Sequence, residues 1–182
     1  MSTSTASPAT LAPALRTLYF ARFGFALVWA VLLMLTATTI GPVSGTLLVL
    51  YPLFDVAAVV VDSRTSRTGR ASWGLYANIA VSTIAAAGLV VAVTSGIPAV
   101  LTVWGAWAVV SGVTQLVVAV VRRGLGGQWP MILSGAISTL AGTSFIVQAG
   151  SDGATLTTLA GYAGIGGVFY LVSALRLGKA RG

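Results

Sequence analysis

The stretch IAVSTIAAAGLVV, residues 79 to 91, decides the fold, because a variant of it, GAISTLAGTSFIV, recurs at residues 135 to 147. The two copies stand 56 positions apart and share Ala, Ser-Thr, Ala and Val in the same order. Neither copy contains a charged residue. The repetition therefore predicts two equivalent apolar helices that occupy similar surroundings.

The composition of the whole chain identifies those surroundings. Hydrophobic residues make up 57% of the 182 residues and charged residues 7%, whereas charged residues are about 25% of an ordinary soluble domain. A helix needs about 20 apolar residues to cross a bilayer, and six such runs fit in this chain. We predict an all-α polytopic membrane protein with transmembrane helices at residues 18–36, 46–61, 73–93, 98–121, 129–149 and 154–177.

The flanking segments have a different composition. Residues 1–16 contain mostly small, polar and proline residues, which bury too little apolar surface to order a chain. We predict a disordered cytoplasmic tail at 1–16, one membrane domain at 17–177 and a second cytoplasmic tail at 178–182. A late signal peptide with FGFALVWAVLLML as its apolar core is the alternative. The repeat argues against cleavage there, because cleavage would remove half of a repeat unit.

The 56-residue register extends along most of the chain. Shifting the sequence by 56 positions pairs residues that rarely coincide by chance: Pro42 with Pro98, Arg67 with Arg123 and Lys179, Trp73 with Trp129, and Thr46 with Thr102 and Thr158. Each unit is one helical hairpin, and all three enter the membrane from the same side. We therefore predict three parallel helical-hairpin repeats, related by an axis along the membrane normal.

The basic residues predict the orientation in the membrane. All ten Lys and Arg residues lie near one set of helix ends, and the opposite connections at 37–45, 94–97 and 150–153 contain none. Cytoplasmic loops of membrane proteins carry the excess of Lys and Arg. Both termini are therefore expected in the cytoplasm, and the net charge of +7 reflects topology rather than nucleic-acid binding.

The residue types present exclude most catalytic chemistry. The chain has no Cys, His or Glu, and its three acids are Asp55, Asp62 and Asp152. No Ser-His or Cys-His nucleophile and no Cys/His metal site can form from such a chain. We expect no enzyme activity, no catalytic residue, no metal and no cofactor. The expected partner is the lipid bilayer; a homo-oligomer stays open, and nothing indicates a protein partner.

The odd-numbered helices share a stripe of polar and small residues. At equivalent repeat positions, one turn apart, stand Arg22, Ala26 and Ala30 in the first helix, Asn78, Ser82 and Ala86 in the third, and Ser134, Ser138 and Gly142 in the fifth. Such residues let membrane helices approach closely and hydrogen-bond. We therefore expect helices 1, 3 and 5 nearest the pseudo-axis. The alternative interpretation is a polar path for protons or a small solute through that interface.

Asp55 is the one acid deep inside a predicted span, and an ionisable group there is expected to face the interior with a partner. Arg22 is the candidate. Arg22 lies six residues beyond Arg16, and Asp55 lies seven before Asp62. At about 1.5 Å per residue, both sit roughly 9 to 10 Å from the cytoplasmic boundary. Equal depth on the two helices of one hairpin predicts a structural ion pair; a proton-sensing carboxylate is the alternative.

Residues 18 to 177 resemble the HdeD-type family of small six-helix bacterial membrane proteins. The resemblance rests on WPMILSGAISTLAG at 129–142, which has the family's Trp-Gly-Gly spacing, and on SGVTQLVVAVVRR and GGVFYLVSALRL, where small residues precede an aliphatic run that ends in Arg. The chain departs from the family at Ser111-Gly112 and Gly166-Gly167, where the family often has Asp-Gly, and at Ile79 and Ala86, where it has glycine.

The resemblance implies a non-catalytic protein of the bacterial inner membrane that contributes to acid or envelope stress tolerance. A channel or transporter for protons or a small solute is the alternative function. It would use the interface of helices 1, 3 and 5.

Overall fold

A computed structural model describes residues 8–65, 72–121 and 129–179, and within those ranges every regular element is an α-helix. The six helices are α1 (Pro8–Thr36), α2 (Pro42–Thr65), α3 (Ser72–Ser95), α4 (Ile97–Val121), α5 (Trp129–Ala149) and α6 (Thr157–Lys179). All six are long and apolar enough to cross a membrane. The chain is therefore an all-helical, multi-pass membrane protein, as predicted; the 56-residue repeat stays a prediction.

Eight of the twelve helix ends differ from the predicted bounds, and the largest differences are at the starts of α1, α2 and α6 and at the end of α2, which is Thr65, four residues later than predicted. α1 begins at Pro8, so residues 8–16 belong to a helix and not to a disordered tail. Proline is well suited to a first helical turn, and the Ala and Leu residues that follow favour helix. α2 begins at Pro42, four residues early, and α6 begins at Thr157, three residues late. The predicted tail residues 1–7 and 180–182 lie outside the described ranges.

Local backbone features explain two of the tight connections. At the start of α2, the Oγ of Ser44, the third helical residue, accepts a bond of 2.8 Å from the amide of Gly41, which precedes the helix, as in the reciprocal half of a capping box. Between α3 and α4 only Gly96 intervenes, with φ of 100°, a conformation that glycine adopts without steric cost. Short connections of this kind make consecutive helices antiparallel neighbours.

The helices form a closed ring in which each packs against the next one in the chain and α6 returns to α1. Contact is most extensive between α4 and α5 and between α1 and α6, and it is thinnest between α1 and α2 and between α5 and α6. None of the odd-numbered helices packs extensively against another in the described ranges. The expectation that helices 1, 3 and 5 share a central interface is therefore wrong.

Glycines explain why α4 and α5 approach so closely. Gly105 faces Gly142, and Gly112 faces Gly135, at two levels of the antiparallel pair. A Cβ at Gly142 would stand 2.6 Å from the Gly105 carbonyl oxygen, and one at Gly135 would stand 2.8 Å from the Gly112 carbonyl oxygen. Helices in lipid associate through such backbone contacts. α5 thus packs closely on α4 because its glycines face that helix.

The half of the bundle away from the Lys and Arg residues is filled with apolar side chains. Trp29 and Trp104 stack there at 5.3 Å between ring centroids, and both are fully buried. Around them lie leucines that also have no exposed surface: Leu33, Leu48, Leu89, Leu101, Leu156 and Leu159. We call this set the apolar layer. These contacts stabilise the bundle through dispersion attraction and close fit, because moving an apolar side chain from lipid into the protein interior yields little hydrophobic free energy.

The glycine contact predicts a contrast between two alanine substitutions. Gly142→Ala forces its Cβ onto a backbone carbonyl, and overpacking of this kind costs about 1–3 kcal/mol. Gly161→Ala places its Cβ where no heavy atom lies within 4 Å, so it is expected to be neutral or stabilising through helix propensity. Thermal unfolding in detergent measures both. Equal melting temperatures for the two variants would contradict the close α4 to α5 contact.

Candidate functional site

Arg22 on α1 and Asp55 on α2 meet inside the bundle. Arg22 Nη1 lies 3.4 Å from Asp55 Oδ1, and the two side chains are 14% and 20% exposed. Both residues belong to segments that qualify as membrane spans. The structure thus brings together Arg22 and Asp55, the pair that was predicted from their equal depth on one hairpin.

The second carboxylate oxygen of Asp55 is held by α3. Asp55 Oδ2 accepts a hydrogen bond of 2.7 Å from Asn78 Nδ2 and one of 3.0 Å from Ser82 Oγ. Ser82 is fully buried, and its Oγ in turn accepts a 3.1 Å bond from the indole Nε1 of Trp107 on α4. Asn78 and Ser82, two residues of the predicted stripe, therefore donate hydrogen bonds to the Asp55 carboxylate. These bonds and the one from Trp107 link α2, α3 and α4.

Arg22 is held from the other side by α6. Arg22 Nη1 donates a 2.6 Å hydrogen bond to the Tyr170 hydroxyl, and the guanidinium carbon lies 5.1 Å from the centroid of the same ring. A guanidinium near an aromatic face is attracted by the ring quadrupole. The sequence interpretation did not include Tyr170. Its depth was a usable signal, because Tyr170 stands six residues before Arg176 as Arg22 stands six after Arg16.

Ser138 on α5 belongs to a second polar contact. Its hydroxyl lies 2.9 Å from the hydroxyl of Tyr162 on α6, and the Tyr162 ring packs edge to face against Phe145 at 5.6 Å between centroids. Tyr162 was also not predicted, because tyrosine in an apolar helix is more often a packing residue. These contacts connect α5 and α6 where the two helices otherwise touch little.

The remaining stripe residues lie apart from the ion pair. Ser134 is partly exposed on α5, one turn before Ser138, and Gly142 faces α4, against Gly105. Ser82 points to α2 and α4, whereas Ser138 points to α6. The stripe is consequently not one continuous lining of an α1, α3 and α5 interface, and that part of the alternative interpretation is wrong.

Aromatic rings lie where the apolar layer borders the polar residues. Tyr51 lies one turn before Asp55 on α2 and contacts Trp29, Trp104 and Trp107, with ring centroids 4.7, 5.4 and 6.1 Å away. The Trp29 indole donates a 2.6 Å bond to the Leu47 carbonyl oxygen. The Trp104 indole nitrogen is buried without a hydrogen-bond partner among the described residues. We call the following residues the polar cluster: Arg22, Asp55, Asn78, Ser82, Ser138, Tyr162 and Tyr170. Of these, Tyr162 stands five residues from the start of α6, at the end away from the Lys and Arg residues.

The polar cluster consists of an ion pair and of hydrogen bonds among side chains on several helices. In the described ranges no group of three or more Asp, Glu, Cys or His residues is close enough together to hold a metal ion. Comparison with protein-family models, with curated proteins and with solved structures found no match. The role of the cluster therefore has to be inferred from its own contacts.

The ion pair predicts a double-mutant cycle. Asp55→Asn leaves Arg22 without its carboxylate in a low-dielectric interior, and the loss is expected to reach about 3 kcal/mol of unfolding free energy. The double change Arg22→Asn with Asp55→Ser removes both charges together, and it is expected to recover much of that loss. It takes the residue types found at Asn78 and Ser111, the corresponding positions of the predicted second repeat; these two were expected to pair, and that expectation is wrong, because Asn78 bonds to Asp55 and Ser111 Oγ has no hydrogen-bond partner among the described residues.

Chemical unfolding in detergent measures the coupling. Asp152→Asn, in an exposed turn, is the matched control and should change stability by less than about 0.5 kcal/mol. Additive effects of the two single changes Arg22→Asn and Asp55→Ser would show that the pair carries no coupling energy.

Proposed function

We propose that this chain is a non-catalytic protein of the bacterial plasma membrane that contributes to acid or envelope stress tolerance. The proposal rests on the resemblance to HdeD-type proteins and on one structural observation: the two charged residues of the polar cluster, Arg22 and Asp55, lie toward the end of the bundle that carries Arg16 and Arg176. Toward the other end, the buried side chains of the described residues are mostly those of the apolar layer. An arrangement of this kind suits a protein that responds within the membrane more than one that conducts across it.

The residues that carry the resemblance also have a structural role. Gly135 and Gly142, in the Trp-Gly-Gly spacing, are two of the four glycines at the closest helix contact. A side chain at either position would collide with backbone atoms of α4. Two of the residues on which the resemblance rests therefore stand at positions where the helix packing demands glycine.

The contrast between the ends of the helices supports the proposed orientation. Arg16 and Arg176 are exposed at the same end of the α1 and α6 pair, while the connections at the other end contain no Lys or Arg. The rule that basic loops stay inside then places both termini in the cytoplasm. In that orientation Arg22, Asp55 and Tyr170 lie in the cytoplasmic half of the membrane.

The orientation predicts the behaviour of three reporter fusions. A reporter fused after Gly182 and one inserted after Arg67 are expected to be on the cytoplasmic side, because basic segments resist translocation. A reporter inserted after Ser151 is expected to be on the external side. Paired alkaline phosphatase and fluorescent protein fusions at each site give opposite signals and serve as mutual controls. An external C-terminus would overturn the orientation.

The function predicts a survival defect without proton leak. A deletion strain is expected to survive acid challenge less well than the same strain complemented with the chain. Purified protein in liposomes under a pH gradient is expected to add no proton flux beyond that of empty liposomes, because the apolar layer offers no hydrogen-bonded path.

Two outcomes would overturn this proposal. Unchanged acid survival after deletion would remove the stress role. Reproducible proton flux that Ser138→Leu abolishes, and that the exposed change Thr143→Leu does not, would instead establish the channel or transporter alternative.

A further inference from the structure

A groove of about 600 Å³ runs between α2 and α3, at the end of the bundle away from the Lys and Arg residues. Its lining follows one face of α2 at intervals of one turn and includes the facing residues of α3: Gly41, Gly45, Val49, Leu53, Val90 and Val93. Leu53 and Val90 are exposed. Because both helices qualify as membrane spans, the groove opens toward lipid.

Two glycines leave the groove unfilled near the start of α2. A Cβ built at Gly41 would meet no heavy atom within 4 Å, and one at Gly45 would lie 3.9 Å from the Cβ of Val93, an ordinary contact distance. Close helix packing therefore does not require glycine at either position, in contrast to the glycines between α4 and α5. Toward the middle of the bundle the last lining residues are the larger Leu50 and Leu53.

The length of the groove matches one leaflet of a bilayer. From Gly41 to Leu53 the chain rises about 18 Å along the axis of α2, and half of the hydrocarbon core is about 15 Å thick. The groove begins at the connection between α1 and α2, which lies at the membrane surface, and so ends near the bilayer midplane. A helix of a second copy would cross the whole core and meet the groove along only half of its length.

The width of the groove also favours an occupant thinner than a helix. A volume of about 600 Å³ over a length of about 18 Å gives a mean cross-section of about 33 Å². A helix 10 Å across occupies roughly 80 Å². The groove therefore fits an unbranched hydrocarbon chain better than it fits a helix with its side chains.

The mouth of the groove carries no charge. The connections at 37–45 and 94–97 contain no Lys, Arg, Asp or Glu. Thr46 supplies the one polar side chain among the described lining residues, and its hydroxyl donates a 2.7 Å bond to the Pro42 carbonyl oxygen of its own helix. A free fatty acid would place its carboxylate at this mouth without a cation. A zwitterionic phospholipid brings no net charge there and needs none.

We propose that the groove between α2 and α3 binds one acyl chain of a zwitterionic phospholipid from the leaflet at the non-basic end of the bundle. The ester end of the acyl chain lies beside Gly41, and its methyl end lies beside Leu53. An acyl chain in the groove contacts both helices along its length, whereas one on a convex helix surface contacts protein on one side only. The additional dispersion contacts retain this lipid when the surrounding lipids exchange.

Native mass spectrometry of the full chain tests the proposal. The protein is transferred from phosphatidylethanolamine bilayers into detergent and washed to remove loosely held lipid, and one phospholipid is expected to stay bound per chain. Thr46→Phe fills the groove from an exposed position whose hydroxyl bonds only within its own helix. This variant is expected to lose the bound phospholipid.

Thr102→Phe is the matched control. Thr102 stands four residues after Pro98, as Thr46 stands four after Pro42. It is also exposed, and its hydroxyl donates a 2.9 Å bond to the Pro98 carbonyl oxygen. It does not line the groove, so Thr102→Phe is expected to retain the phospholipid as the natural chain does.

Photocrosslinking in intact bilayers gives a second measurement, which does not depend on any variant. Phosphatidylethanolamine with a diazirine in the middle of one acyl chain is expected to label α2 and α3 at the groove more strongly than the other helices at the same depth. Thr46→Phe is expected to remove that excess, and Thr102→Phe to leave it unchanged.

Four results would overturn the proposal. They are absence of a retained phospholipid on the natural chain, uniform labelling of all six helices, retention of a fatty acid in place of the phospholipid, and a dimer of the chain that Thr46→Phe converts to a monomer. Equal lipid retention by Thr46→Phe and Thr102→Phe, with thermal unfolding showing both to be folded, would also contradict it. Acid survival does not enter these measurements, so their failure is distinguishable from failure of the proposed function.

Discussion

The carboxylate of Asp55 is the constraint on which the arrangement of the first three helices depends. An ionised group inside a membrane-spanning helix is costly unless other groups replace its lost hydration. Asp55 obtains them from α1 through Arg22 and from α3 through Asn78 and Ser82. These partners determine which faces α1 and α3 turn toward α2, and the indole of Trp107 extends the same set of bonds to α4. Polar pairing, which is only one contribution among many in soluble proteins, here fixes helix rotation.

The other helices are held by contacts of a different kind. Lipid tails compete equally for apolar surface, so helices gain from packing only where they fit more closely than lipid does. The glycine pairs of α4 and α5 achieve this with backbone contact, and the rings of Trp29, Tyr51 and Trp104 achieve it with broad side-chain surfaces. Between α5 and α6 the contact is thin; the hydroxyl pair of Ser138 and Tyr162 and the edge-to-face contact of Tyr162 with Phe145 span it. The weakest boundary and the polar cluster therefore coincide.

The sequence predicted some of these features well because they depend only on distances along the chain. Membrane thickness determines how long an apolar run must be, so all six helices were found, with ends displaced where capping and helix propensity extend or shorten a run. Depth along a helix placed Arg22 beside Asp55. The predicted α1, α3 and α5 interface failed, since a shared stripe of small residues does not say which neighbour it faces. Gly142 meets α4 and Ser138 meets α6, although one turn separates them on α5.

Depth in the membrane identified Arg22 as a partner of Asp55, but depth alone was not enough to identify Tyr170. Tyr170 lies as far from Arg176 as Arg22 lies from Arg16, so the two side chains had to reach the same level of the membrane. Equal level is not contact: on six helices many residues share a level, and only neighbours can pair. The adjacency of α1 and α2 follows from their short connection, whereas the adjacency of α6 and α1 follows only from closure of the ring. Closure depends on packing among all six helices, which is why the sequence supplied one partner of Arg22 and the structure supplied the other.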